Sequence, residues 1–201
     1  MAIEDDALDR FKKILAEKIA AVQPVKMLHE GIAKNFHQKR ERVLSQEGVS
    51  TTAVTNFDAQ EDESVPSLAE VDAQTFLQNQ LLQQEVFGPF SLLVKCKDAG
   101  EMLRVAQSLQ GQLTANLIAT EDEARSNPDL IEALQDICGR FVFNGVPTGV
   151  EVSIAMHHGG PYPATTDSRF TAVGTDGIRR FARPVCYQNW PQALLPAELQ
   201  K

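Results

Sequence analysis

The chain has 201 residues, 43% of them hydrophobic and 23% charged, with a formal net charge of -8 at pH 7. That length allows one domain or two small ones with a buried core, and the acidic balance excludes a nucleic-acid surface, which needs clustered Lys and Arg to track phosphates. No apolar stretch approaches the ~20 residues of a membrane-crossing helix, and the acidic N-terminus is unlike a signal peptide, so the expectation is a cytoplasmic protein with no membrane partner.

A helix opens almost at once. Asp5 or Asp6 can cap it, and Leu8, Phe11, Leu15, Ile19 and Val22 recur at helical spacing before Pro24 ends it. A second helix is expected over residues 31–44, with Ile32, Phe36 and Val43 on its apolar side and the short basic knot of Lys39, Arg40 and Arg42 as a solvated face. Residues 45–66 are rich in Ser, Thr, Asp and Glu around one β-prone piece, 51–57, which predicts a strand followed by an acidic exposed loop.

From residue 85 the pattern sharpens. Residues 91–96 (SLLVKC) read as a strand; Asp98 with Glu101 then makes a capping box for a helix carrying Met102, Ala106 and Leu109, stopped by Gly111. Residues 113–119 (LTANLIA) predict a second buried strand. Asn127 and Pro128 start another helix, with Ile131, Leu134 and Cys138 on its inner face and Gly139 closing it; residues 140–144 are a third strand. Strand, helix, strand, helix, strand with short links predicts right-handed crossovers in a mainly parallel sheet covered on both faces, a three-layer α/β/α fold.

Beyond Asn144 runs a turn-rich segment containing His157 and His158. It leaves the carboxyl end of a strand, where parallel sheets gather ligand sites. A short helix over 175–181 and an extended piece over 183–188 (RPVCYQ) follow, the latter free to pair with another subunit. The three cysteines, Cys96, Cys138 and Cys186, are widely spaced in apolar contexts, which fits reduced structural thiols, and no Cys/His spacing suggests a metal.

The run Gln84-Glu85-Val86-Phe87-Gly88-Pro89, followed by a strand, a helix, GQLTA at 111–115 and Phe143-Asn144, resembles the carboxy-terminal part of the aldehyde dehydrogenase superfamily. Residues 143–175 and 179–191 (RRFARPVCYQNWP) narrow the match, being similar to the subgroup that contains α-ketoglutaric semialdehyde dehydrogenases and NADP-preferring fatty aldehyde dehydrogenases. The resemblance implies a partial catalytic domain of that type over 1–180 and an extended oligomerisation strand and tail over 181–201, hence a homo-oligomer. It implies NADP or NAD as cofactor, with Glu85 accepting hydrogen bonds from the nicotinamide-ribose hydroxyls and Phe87 packing near the nicotinamide ring. By the same carry-over, Asn144, Thr148 and Gly149 line the aldehyde entrance. His158, ahead of Gly159-Gly160-Pro161, stands where the wider superfamily has a tunnel-lining aromatic; a histidine there can tune a nearby thiol or orient water. His29, His37 and His157 match no such position and read as structural or exposed. The subgroup departs from the superfamily at GGPYPATTDS (159–168), which replaces a Gly-Gly-x-Lys-x-Ser-Gly stretch and alters the tunnel.

The chemistry implied is attack of a cysteine thiolate on the aldehyde, hydride transfer to the nicotinamide, and hydrolysis of the thioester to a carboxylate. The nucleophile's motif, Gly-Gln-x-Cys-Thr, does not occur, nor does the motif carrying the general base. The expectation is therefore a fragment, inactive alone, whose missing partner is the amino-terminal cofactor domain of the same polypeptide. Two other readings stay open: a stand-alone, non-catalytic binding domain derived from this fold, and a cysteine-dependent hydrolase using Cys186 or Cys138 with His158.

Overall fold

The computed structural model describes residues 1–147, 149 and 152–201. The chain divides into two compact units, residues 1–110 with 119–137, and residues 111–118 with 138–201.

The first unit is built on a four-stranded sheet. β4 (Phe90–Cys96) runs parallel to β1 (Ala2–Ile3) on one side and to β3 (Ser67–Asp72) on the other, while β2 (Ser50–Val54) forms the far edge, antiparallel to β3. Side chains alternate across a strand, and both faces of this sheet are covered. Leu68 and Leu93 pack with Leu8, Leu15 and Ile19 of α1 (Asp6–Ala20). On the opposite face Val71, Val94 and Cys96 join Phe76 of α3 (Ala73–Gln78) and Val105 of α4 (Ala99–Ser108). The mainly parallel α/β arrangement is the one expected.

Helix starts follow side-chain capping, in which an oxygen or ring nitrogen satisfies an otherwise orphaned N–H. Asp5 accepts from Leu8 N at 2.8 Å, and Asp98 accepts from Glu101 N at 2.7 Å. Glu101 reaches back to Lys97 N at 2.8 Å, one residue beyond a strict capping box. His29 caps α2 (Glu30–Leu44), its Nδ1 accepting from Ile32 N at 3.3 Å. Phe11 and Val22 are exposed, because only Leu8, Leu15 and Ile19 of the expected stripe face the sheet.

Three corrections concern the middle of the chain. β3, the most buried strand, was not expected. A helix α5 (Glu121–Ser126), with a complete Thr120/Glu123 capping box, precedes α6 (Pro128–Asp136), whose Asn127 makes no side-chain cap. Cys138 and Gly139 do not end α6; they begin β6 (Cys138–Phe143).

In the second unit β6 pairs in parallel with β5 (Gln112–Leu117), and the two form a sheet of their own. Neither strand contains a fully buried residue, contrary to the expectation for residues 113–119. The backbone of the segment after β6 instead lies directly on these strands. A β-carbon at Gly111, Gly139 or Gly160 would collide with the carbonyl oxygen of Pro161, Gly159 or Gln112 respectively, so glycine is required for this approach. A 3₁₀ turn, Thr175–Phe181, falls where a short helix was expected. Residues 183–188 are exposed and pair with no strand among the described residues. No helix is long and apolar enough to cross a membrane among the described residues.

Candidate functional site

The segment before β4 is shaped from beneath by α2. Gly88 has φ of 153°, and a β-carbon there would overlap the ring of Phe36, itself 1% exposed. Only glycine combines that backbone angle with so close an aromatic neighbour. Phe90 N donates to Gly88 O at 2.8 Å and Ser67 N donates to Pro89 O at 3.0 Å, so the Gly-Pro pair feeds the chain into the sheet. Val86 packs inward against the core, which turns its neighbours Glu85 and Phe87 outward.

Glu85 and Phe87 come together. With Val43, Leu82, Phe90 and Leu92 they line a concavity of about 480 Å³, with Phe87 58% exposed and Glu85 also exposed. The Glu85 carboxylate enters no ion pair or hydrogen bond among the described residues; its carbonyl oxygen accepts from Lys39 Nζ at 3.1 Å. Two free carboxylate oxygens beside an exposed aromatic face can hold a pair of neighbouring hydroxyls and cover a flat ring. These residues therefore fit a ribosyl-nicotinamide group. The sequence marks Phe36 as part of a helix's apolar side and Lys39 as part of a solvated basic knot, but nothing local says which segment that helix meets. Nor is the basic knot merely solvated, since Arg40 Nε also donates to Ser67 Oγ at 2.8 Å.

The remaining site residues belong to the second unit. His158 is fixed through its main chain: its N donates to Thr171 Oγ1 at 2.9 Å and its carbonyl accepts from Ala172 N at 2.9 Å. Thr171, 5% exposed, donates its own hydroxyl to Val173 O at 2.8 Å. The imidazole is half-buried and takes part in no hydrogen bond among the described residues. Asn144 sits past the end of β6 in the left-handed region, φ 49°, and its N donates to Leu117 O at 2.8 Å; Asn116 Nδ2 steadies the turn by donating to Gly145 O at 3.0 Å. Gly149 is exposed with open space around it, and Thr148 lies outside the described residues.

The other histidines are structural. His29 is a cap, His37 Nε2 bonds the carbonyl of Glu63 at 3.0 Å, and the His157 ring packs over Gly159. Among the thiols, burial pushes Cys96 up to about 11 and raises Cys138 as well, which disfavours the thiolate. Cys186, expected in an apolar setting, is exposed, so burial does not account for it. Arg180 leaves its Nη1 buried without a hydrogen-bond partner among the described residues, and no feature of the sequence announces this. No cluster of His, Cys, Asp or Glu suited to a metal occurs among the described residues.

No family model matches the chain. It is 41% identical over 201 residues to α-ketoglutaric semialdehyde dehydrogenase 2 of Azospirillum brasilense and, at the same identity, to α-ketoglutaric semialdehyde dehydrogenase of Acinetobacter baylyi. All of this chain is matched in both cases, and it spans 38% of the length of each relative. Among solved structures, Δ-pyrroline-5-carboxylate dehydrogenase of Mycobacterium tuberculosis matches with a TM-score of 0.69 at 17% identity, over 96% of this chain and 38% of that one. The same protein bound with NAD gives 0.61 at 20% identity over 82% and 31%. Glyceraldehyde-3-phosphate dehydrogenase of Methanocaldococcus jannaschii complexed with NADP gives 0.59 at 20% identity over 79% and 34%. The structural matches establish a shared fold, and with 41% identity over all of its 201 residues the chain belongs to the aldehyde dehydrogenase superfamily, matching part of the length of those relatives.

Proposed function

We propose that this chain is part of the catalytic domain of an NAD(P)-dependent dehydrogenase that oxidises an aldehyde to a carboxylate, and that its share of the work is to hold the nicotinamide end of the cofactor. The carrying observation is the placement of Glu85 and Phe87 on one concavity, with the carboxylate unencumbered and the ring exposed. The nicotinamide, when bound, supplies the hydride acceptor. Glu85 accepts hydrogen bonds from the two ribose hydroxyls, which fixes rotation of the attached ring; Phe87 covers that ring and excludes water from it. Holding such a group in one orientation converts binding energy into rate, because the ordering cost is met before reaction.

The relatives' names favour a semialdehyde, α-ketoglutaric semialdehyde in particular, over a fatty aldehyde. Asn144, Thr148 and Gly149 line its entrance in this reading, and His158 stands near the reacting thiol. None of Cys96, Cys138 or Cys186 lies in the nucleophile's motif, so that thiol belongs to residues outside these 201, and the chain alone is inactive. The tail from 181, with Phe181 86% exposed and Val185 and Trp190 also exposed, is suited to being covered by another subunit in a soluble cytoplasmic homo-oligomer.

The test is Glu85→Gln in the natural polypeptide that carries this segment, with Kd for NAD+ and NADP+ measured directly. A neutral amide offers one acceptor where the carboxylate offers two charged ones, so about a tenfold or greater weakening is expected. Unchanged affinity for both nucleotides would remove Glu85, and with it this reading of the site.

A further inference from the structure

Between Gln84, whose N donates to Leu81 O at 3.2 Å, and Gly88, whose carbonyl accepts from Phe90 N, the main chain of residues 85–87 makes a single hydrogen bond among the described residues. That bond comes from a side chain 46 residues earlier, Lys39 Nζ, to the carbonyl of Glu85 at 3.1 Å. It is not isolated. On the same helix, Phe36 packs against Gly88 and Val43 lines the concavity, so positions 36, 39 and 43 present one face of α2 to residues 85–88. No ion pair joins the two side chains, so Lys39 holds the backbone while leaving the Glu85 carboxylate oxygens free.

Resting on the reading that Glu85 binds the nicotinamide ribose, we propose that Lys39 is a positioning residue: its tie to the Glu85 carbonyl fixes the exposed main chain from which the cofactor-binding carboxylate projects. A surface segment with no other main-chain anchor samples several conformations, and a ligand that needs one of them loses affinity in proportion to how rarely that one is populated. Removing the tie should therefore weaken nicotinamide nucleotide binding without unfolding the protein, and its effect should exist only while Glu85 has a carboxylate to position.

The experiment compares Lys39→Met, Lys39→Arg, Glu85→Gln and the double variant Lys39→Met/Glu85→Gln in the natural polypeptide, reading Kd for NAD+ and NADP+ and the thermal midpoint. Methionine keeps the stem's packing and deletes the donor. Lys39→Met is expected to weaken binding about three- to fivefold, as loss of one hydrogen bond's worth of order implies, with Tm within about 2 °C of the parent. Lys39→Arg, which retains a donor, should recover affinity to within about twofold. The double variant should bind no more weakly than Glu85→Gln alone, since coupled residues are not additive. An unchanged Kd in Lys39→Met while Glu85→Gln binds weakly overturns the role of Lys39 and leaves the cofactor reading intact. Additive losses overturn it too, as does a drop in Tm that accounts for the lost affinity. If Glu85→Gln itself binds normally, the underlying reading fails and this proposal with it.

Discussion

Cys96 is 0% exposed at the end of β4, and burial pushes its thiol up to about 11 from an ordinary value of 9.0. The neutral thiol is the form the folded core tolerates. In the unfolded chain the group loses its proton near pH 9, whereas in the folded chain it resists until about 11. Its contribution to stability is therefore complete below pH 9 and fades as pH rises from 9 to 11. The loss should be on the order of 2 kcal/mol, seen as a falling midpoint in urea denaturation across that window. Cys96→Ala should flatten the window; equal slopes in parent and variant would show that other groups set the alkaline limit. At this scale the sequence was readable where chemistry is local, since Asp5 and Asp98 cap the helices they precede; Glu85 and Phe87, which only the family resemblance marks, lie on one concavity. It was silent on His29 as a cap and on the bond from Lys39 to the Glu85 carbonyl, because an imidazole has no strong local preference for that place and a lysine's partner 46 residues away leaves no mark on its neighbours.

Individual helices differ in how their first turns are satisfied. In α4 the Asp98 carboxylate accepts from Glu101 N, while Asn127 before α6 turns its amide back to donate to Glu123 O at 2.8 Å. Asp98→Ala should thus cost about 1 kcal/mol, and Asn127→Ala only roughly 0.3 kcal/mol, compared by chemical denaturation. Similar costs at the two sites would contradict the geometry. The strand that escaped notice, β3, shows why patterning has limits. Its sequence, SLAEVD, holds one β-branched residue and two acids, yet it is the best-buried strand of the sheet. Tertiary pairing supplies what composition withholds. Glu70 is tolerated inside it because Lys12 lies at 2.6 Å and Lys95 at 3.4 Å. Burial alone would raise the Glu70 carboxyl, but the hydrogen bond from Lys12 and the charge of Lys95 outweigh it and hold the group below its ordinary value. Neither lysine is near Glu70 in sequence, so the compensation was invisible before the fold.

For the whole molecule, stability is unevenly distributed. Every fully buried hydrophobic side chain among the described residues belongs to the first unit. The second unit buries Thr171 and several glycines, while Ile118, Phe143, Ile178 and Phe181 are exposed. Backbone packing through glycine brings strands together but removes little apolar surface from water, and apolar burial is the main favourable term in folding. Amides of β3 and β4 should accordingly exchange hydrogen about two orders of magnitude more slowly than those of β5 and β6. Uniform protection across the four strands would contradict this distribution. The polypeptide also passes from one unit to the other three times, after residues 110, 118 and 137. No lone scission can therefore part them. Wherever a protease nicks the chain, at least one of the two pieces still holds parts of both bodies, and any attempt to produce one body in isolation needs a gene re-stitched from separate stretches.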